Sequence, residues 1–123
     1  MPARILLVDD ETALLNLMES FLKRLGYTVA KSERGGEALE LFNASPEEYD
    51  VVVADLTLPD MAGQDMAQRM VARNPGIRIL LSSGYPFELA SLPAAIRPRF
   101  AVLQKPYLPK MLVSAVEELM KLA

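Results

Sequence analysis

Ile5-Leu6-Leu7-Val8-Asp9-Asp10-Glu11 is the stretch on which the reading of this chain turns. Four apolar residues run straight into three carboxylates. A strand with one wet face would alternate apolar and polar positions. A continuous apolar run suits a strand buried on both faces, as in a parallel sheet. Three more runs have this form. Val51-Val52-Val53-Ala54 stops at Asp55, Ile77-Arg78-Ile79-Leu80-Leu81 stops at Ser82-Ser83-Gly84, and Ala101-Val102-Leu103 stops before Lys105-Pro106. Tyr27-Thr28-Val29-Ala30 is a weaker candidate, second in chain order.

The segments between these runs have a helical period. Leu14, Leu15, Met18, Phe21, Leu22 and Leu25 share one face, and Gly26 follows as a natural helix stop. Ala38, Leu41 and Phe42 make a shorter face, and Met66, Met70 and Val71 a third, ending at Asn74-Pro75-Gly76. Leu108, Leu112, Ala115, Val116 and Leu119 make the last, with Pro109 tolerated in a first turn. The methionines at helical spacing read as core. The segment after the fourth strand differs. Pro86, Pro93 and Pro98 interrupt it, leaving room for at most a short helix within 87–92. Strands alternating with helices predict an α/β, doubly wound parallel sheet.

Composition bounds the chemistry. The 123 residues fit one domain, expected over 1–123, and a chain of that length can bury roughly two-thirds of its unfolded surface. There is no cysteine and no histidine, so disulfides, thiolate nucleophiles, catalytic triads and His- or Cys-ligated metals are excluded. The chain cannot itself be a phosphohistidine donor. Carboxylates, lysine and hydroxyls must carry any chemistry. Net charge is -3 with no basic stripe, which argues against nucleic acid. The apolar runs are far shorter than the ~20 residues of a membrane helix, and the first residues lack a signal-peptide pattern. A cytoplasmic protein is expected.

In doubly wound sheets the working site lies at the carboxyl ends of the strands. Those ends carry Asp9-Asp10-Glu11, Asp55, Ser82-Ser83 and Lys105. Taken singly, each has a plain structural role: capping and dipole compensation for Asp10 and Glu11, turn formation for Asp55 and the serines, a solvated strand end for Lys105. Taken together they predict a phosphoryl site. Converging carboxylates repel unless a cation joins them, and all-oxygen ligands with open positions suit Mg²⁺. A carboxylate can act as nucleophile, a lysine can hold phosphoryl oxygens, and a serine can donate a hydrogen bond.

This pattern resembles the receiver domain of two-component response regulators over essentially the whole chain. Four stretches in order carry the resemblance: Ile5 to Glu11, Asp55-Leu56-Thr57-Leu58-Pro59-Asp60-Met61-Ala62-Gly63, Leu81-Ser82-Ser83-Gly84 and Lys105-Pro106. The resemblance implies a flavodoxin-like (βα)5 fold with strand order 2-1-3-4-5 and a shortened or irregular fourth helix. It implies that Asp55 is the phosphoacceptor. Asp10 would bind Mg²⁺ directly, Asp9 would assist, and Thr57 would offer its backbone carbonyl. Ser83, rather than Ser82, matches the switch hydroxyl, and Lys105 the phosphate-binding lysine. The implied partner is a histidine kinase or a histidine phosphotransfer protein, in a phosphorelay, with the domain a relay rather than a conventional enzyme. The Ser83-Gly84-Tyr85 turn is similar to receivers attached to hybrid sensor kinases.

Two departures stand out. Val102 lies three residues before Lys105, where many receivers carry an aromatic, and the nearest upstream aromatic is Phe100. The proline-broken 86–98 segment falls where the family forms a dimer or output face, so a monomer or weak dimer is expected. The alternative function is a phosphorylation-independent interaction module. A haloacid-dehalogenase-type phosphatase would need an aspartate at Thr57, and nothing matches a flavodoxin phosphate loop.

Overall fold

The computed structural model describes residues 3–122. Five strands and four α-helices follow one another along it, alternating except between the fourth and fifth strands. They are β1 (Arg4–Val8), α1 (Thr12–Arg24), β2 (Thr28–Ser32), α2 (Gly35–Ala44), β3 (Val51–Asp55), α3 (Gly63–Arg73), β4 (Arg78–Ser83), β5 (Phe100–Gln104) and α4 (Pro109–Met120). The strands form one parallel sheet in the order β2-β1-β3-β4-β5. The doubly wound parallel sheet is the one the sequence pattern predicts, and its flavodoxin-like order is the one the resemblance implies.

The continuous apolar runs are buried because helices cover both faces. Leu6, Val8, Val52, Ala54, Ile79 and Leu81 pack with Phe42, Met66 and Met70 on the α2–α3 side. Ile5, Leu7, Val51, Val53 and Leu80 pack with Leu15, Met18, Leu22, Leu112 and Val116 on the α1–α4 side. The parity along each strand decides which layer a residue joins. Complete burial of a Leu or Ile contributes about 1.5–3 kcal/mol, so these two layers dominate the stability.

Helix ends follow local chemistry. Gly26 takes φ 95 just past α1, its N–H reaches the Lys23 carbonyl at 3.0 Å, and the Tyr27 N–H reaches the Leu22 carbonyl at 3.2 Å. That pairing closes the helix as a Schellman motif, and the left-handed φ is what requires glycine. Pro109 opens α4. Three residues expected on buried faces are exposed. Leu25 caps the C-terminus of α1 and Leu108 precedes α4, so neither follows its helix's inward stripe. Leu41 lies one step round from Phe42, and Leu39 is half-buried in its stead.

The second strand is also displaced from its expected place. It runs Thr28–Ser32 rather than over 27–30, because its pairing with β1 sets Arg4 opposite Thr28 and Val8 opposite Ser32. Between β4 and β5 there is no α-helix. Two 3₁₀ turns, Leu89–Ser91 and Arg97–Arg99, fill that space. Leu92 is buried there, with Phe87, Leu89 and Ile96 packed against the α2–α3 layer. The prolines break the helix, yet the segment still plugs the core.

Candidate functional site

The carboxyl ends of β1, β3, β4 and β5 meet at one edge, and the chemistry of the chain is gathered there. Asp9 follows β1 and is 1% exposed; its N–H is held by the Ser32 carbonyl of β2 at 3.1 Å. Asp55 ends β3 and is buried. Lys105 follows β5, with its N–H on the Ser83 carbonyl at 2.6 Å and a cis peptide to Pro106. Parallel pairing therefore aligns these side chains without any loop having to fold back.

Lys105 Nζ is the hub. It lies 3.0 Å from Asp9 Oδ2, 3.0 Å from Glu11 Oε1 and 3.3 Å from Asp55 Oδ2. Burial alone would lower the ammonium's pKa. The hydrogen bonds to Glu11 and Asp9 and the charges of Asp9 and Asp55 outweigh it and hold the group above its ordinary value. Asp9 goes the other way. Its burial raises the carboxyl above the usual range, and this exceeds the lowering by the Glu11 N–H and by Lys105. Three carboxylates thus face one ammonium, leaving a formal excess of two negative charges.

Asp9, Glu11 and Asp55 each offer a carboxylate oxygen, all within 4.8 Å of one another. An all-oxygen set with uncompensated negative charge is the donor chemistry of a hard divalent cation. The residues present fit such an ion. Asp10 is exposed and falls outside this group of three, but it lines a cavity of about 360 Å³ with Glu11, Asp55, Thr57, Gly84, Tyr85 and Lys105. Glu11 is the residue whose place the sequence reading missed. It stands at the N-cap of α1, yet its side chain makes no cap bond and turns to Lys105. The signal was present in the unbroken acidic run after β1.

The loop after β3 is tightly tied. The Thr57 N–H donates to Asp55 Oδ1 at 3.2 Å, and Thr57 and Ala62 form an antiparallel bridge. The Gly63 N–H meets the Leu56 carbonyl at 2.8 Å. A Cβ on Gly63 would fall into the Asp55 backbone carbonyl, so only glycine allows this approach.

The two serines diverge. The Ser83 hydroxyl donates to the Tyr85 carbonyl and accepts from the Tyr85 N–H at 3.1 Å. It pins the turn that carries Tyr85 over the cavity. Ser82 stands opposite Asp55 in the ladder and is buried. Its hydroxyl lies near enough to Tyr107 to temper that phenol's titration, which burial raises. It is outside hydrogen-bond geometry, however, and Tyr107 donates instead to Met18 Sδ at 2.9 Å. Val102 is half-buried, pairs with Leu81 in the ladder and packs against the α2–α3 layer, and Phe100 pairs with Ile79. Phe100 is four positions below the Ser83–Gln104 pair, roughly 13 Å at ~3.3 Å per residue, too far to serve Ser83.

A family model described as the response regulator receiver domain matches residues 5–117. This chain belongs to that family. Receiver domains of two-component systems are thus the class in which the acidic site is to be understood. The sensor kinase CckA of Brucella abortus (strain 2308) is 32% identical over 119 residues, covering 97% of this chain and 13% of that protein. The response regulator receiver protein CpdR of the same strain is 29% identical over 118 residues, covering 95% of this chain and 96% of CpdR. A CheY-like receiver domain structure from Methanospirillum hungatei JF-1 superposes with TM-score 0.84 at 28% identity, over 98% of this chain and 94% of that one. The chain spans 13% of CckA and 26% of the transcriptional regulatory protein GlrR of Escherichia coli (strain K12). No helix among the described residues is long and apolar enough to cross a membrane.

Proposed function

We propose that Asp55 is the phosphoacceptor of this receiver, taking its phosphoryl group from a phosphohistidine. The observation that carries this is Lys105 Nζ at 3.3 Å from Asp55 Oδ2, at the rim of a cavity open to a donor. In the transfer an Asp55 carboxylate oxygen attacks phosphorus. The P–N bond of the donor breaks, its electron pair stays on the imidazole nitrogen, and an acyl phosphate forms. Lys105 exchanges part of its contact with the carboxylates for the incoming phosphoryl oxygens. Ser83, at the end of β4, is the hydroxyl we assign to exchange its Tyr85 partner for a phosphoryl oxygen.

The metal we propose is Mg²⁺, held by Asp55, by Asp9 and Glu11 from the acidic run, by Asp10 at the cavity wall and by the Thr57 carbonyl. When bound it supplies neutralisation of the negative charge on the carboxylates and the transferring group. The partner is a histidine kinase or a histidine phosphotransfer protein. The domain relays a signal rather than turning over a substrate, and we place it in the cytoplasm. Attachment to a hybrid sensor kinase is consistent with the Ser83-Gly84-Tyr85 turn and the likeness to CckA.

The test is phosphorylation by acetyl phosphate with Mg²⁺, read by intact mass, on wild type and Asp55→Asn. Wild type should gain one phosphoryl group and Asp55→Asn none. A gain in both proteins assigns the acceptor elsewhere. A gain in neither, with Mg²⁺ binding shown separately, points to the phosphorylation-independent module.

A further inference from the structure

The tip of the β3–α3 loop is held by a contact the phosphoryl chemistry does not use. Asp60 Oδ1 accepts the Gly35 N–H at 2.8 Å, and Asp60 Oδ2 accepts the Gly36 N–H at 2.8 Å. These amides belong to the first turn of α2, whose own N-cap, Arg34, makes no side-chain cap bond. Both oxygens of one carboxylate thus satisfy helix donors that nothing on α2 itself satisfies. The fit is close around them. A Cβ on Gly35 would meet the Met61 side chain, and a Cβ on Gly36 would come within 3.2 Å of Asp60 Oδ2. Two glycines in succession let the loop lie on the helix end.

From Asp60 the path to the acceptor is short and bonded. Asp60 lies inside the turn closed by the Thr57–Ala62 bridge, and the Thr57 N–H is the donor to Asp55 Oδ1. On the far side Gly63 packs on the Asp55 carbonyl and ties to Leu56. The loop's base is fixed by glycine packing, while its tip is held by the two Asp60 hydrogen bonds and by Met61 packed on the first turn of α2.

We propose that Asp60 is a positioning residue: its bidentate cap on α2 sets the register of residues 57–62 and so the aim of the Asp55 carboxylate. The proposal rests on Asp55 being the acceptor. It also makes the first turn of α2 an element that feels the acceptor. Coupling of this kind is reciprocal, so a change at Asp55 should be read at Gly35 and Gly36.

The experiment uses the whole chain as wild type, Asp60→Ala and Asp60→Asn. Backbone amide NMR is recorded without phosphoryl donor, and phosphorylation rates are then measured with acetyl phosphate and Mg²⁺. Asp60→Ala should shift the Thr57 amide, which donates to Asp55 and not to Asp60, and slow phosphorylation about tenfold, since a misplacement of ~1 Å costs up to ~100-fold. Asp60→Asn keeps one carbonyl acceptor and should recover most of that loss. In wild type, phosphorylation should move the Gly35 and Gly36 amides. An unmoved Thr57 amide, or an unchanged rate in Asp60→Ala, overturns the proposal. If wild type takes no phosphoryl group at all, the acceptor assignment fails, and the Thr57 amide still decides whether the latch exists.

Discussion

Lys105 Nζ stands 3.3 Å from Asp55 Oδ2, although fifty residues separate them in the chain. The contact exists because β3 and β5 flank β4 in one parallel sheet and end at the same edge. It places the single ammonium of the site where a cation would also bind. Lysine and metal therefore compete for the same negative charge.

Removing that ammonium should favour the metal. In Lys105→Met, Asp9, Glu11 and Asp55 lose their shared counter-ion and repel one another. Mg²⁺ affinity, measured by calorimetric titration, should rise about tenfold, the equivalent of ~1.4 kcal/mol. The same variant should be less stable than wild type in the absence of Mg²⁺, because buried carboxylates are left uncompensated. Unchanged Mg²⁺ affinity would show that Lys105 and the metal occupy separate sites.

Gly63→Ala tests the packing beneath the acceptor. The added methyl would have to displace the Asp55 backbone carbonyl, which is part of β3 and cannot swing away. Overpacking against backbone costs roughly 1–3 kcal/mol or more. The urea midpoint should fall accordingly, and phosphorylation should slow in the protein that remains folded. A variant as stable as wild type would contradict this account of the loop.

Much of this was legible in the residues. Continuous apolar runs ending in Asp9, Asp55, Ser83 and Lys105 mark strands buried on both faces, and the sheet edge follows from their common ends. The three prolines of 86–98 marked the missing helix, because a ring without an N–H cannot continue one. What the sequence hid depends on side-chain direction. Asp10 and Glu11 are adjacent in the same acidic run, and only the angle at which the chain leaves β1 sends Glu11 to Lys105. Asp60 stands in the sequence only as one residue of the stretch after Asp55, with no role of its own. Its cap on α2 joins residues 25 apart for Gly35 and 24 apart for Gly36, which no local pattern encodes. The length of β2 is likewise set by register with β1 rather than by its own weak apolar run.

Tyr85 bears on how long the phosphoryl group survives. It is 53% exposed, held by Ser83 through both its backbone polar groups, and it lines the cavity beside Asp55. A ring there hinders water from approaching an acyl phosphate in line. Tyr85→Ala should shorten the phosphate lifetime severalfold, and Tyr85→Phe should leave it near wild type, because bulk rather than the hydroxyl does the shielding. The measurement is decay of the phosphorylated mass after the donor is removed. Equal lifetimes in all three proteins would place the ring outside the water path.

The Asp60 cap should also carry a pH signature. The Gly36 and Gly35 N–H groups stabilise the ionised carboxylate and hold its pKa below the ordinary aspartate value. A carboxyl with a lowered folded pKa contributes stability above its unfolded pKa and loses it as pH falls through the folded value. The stability difference between wild type and Asp60→Asn should therefore stay constant from neutral pH down to about pH 5 and shrink only below about pH 4. Urea unfolding of the two proteins across that range is the check. The difference should be modest, because the carboxylate is exposed and screened. A difference that collapsed between about pH 7 and pH 5 would belong to another group, and the two amide bonds would then not be what fixes the charge on Asp60.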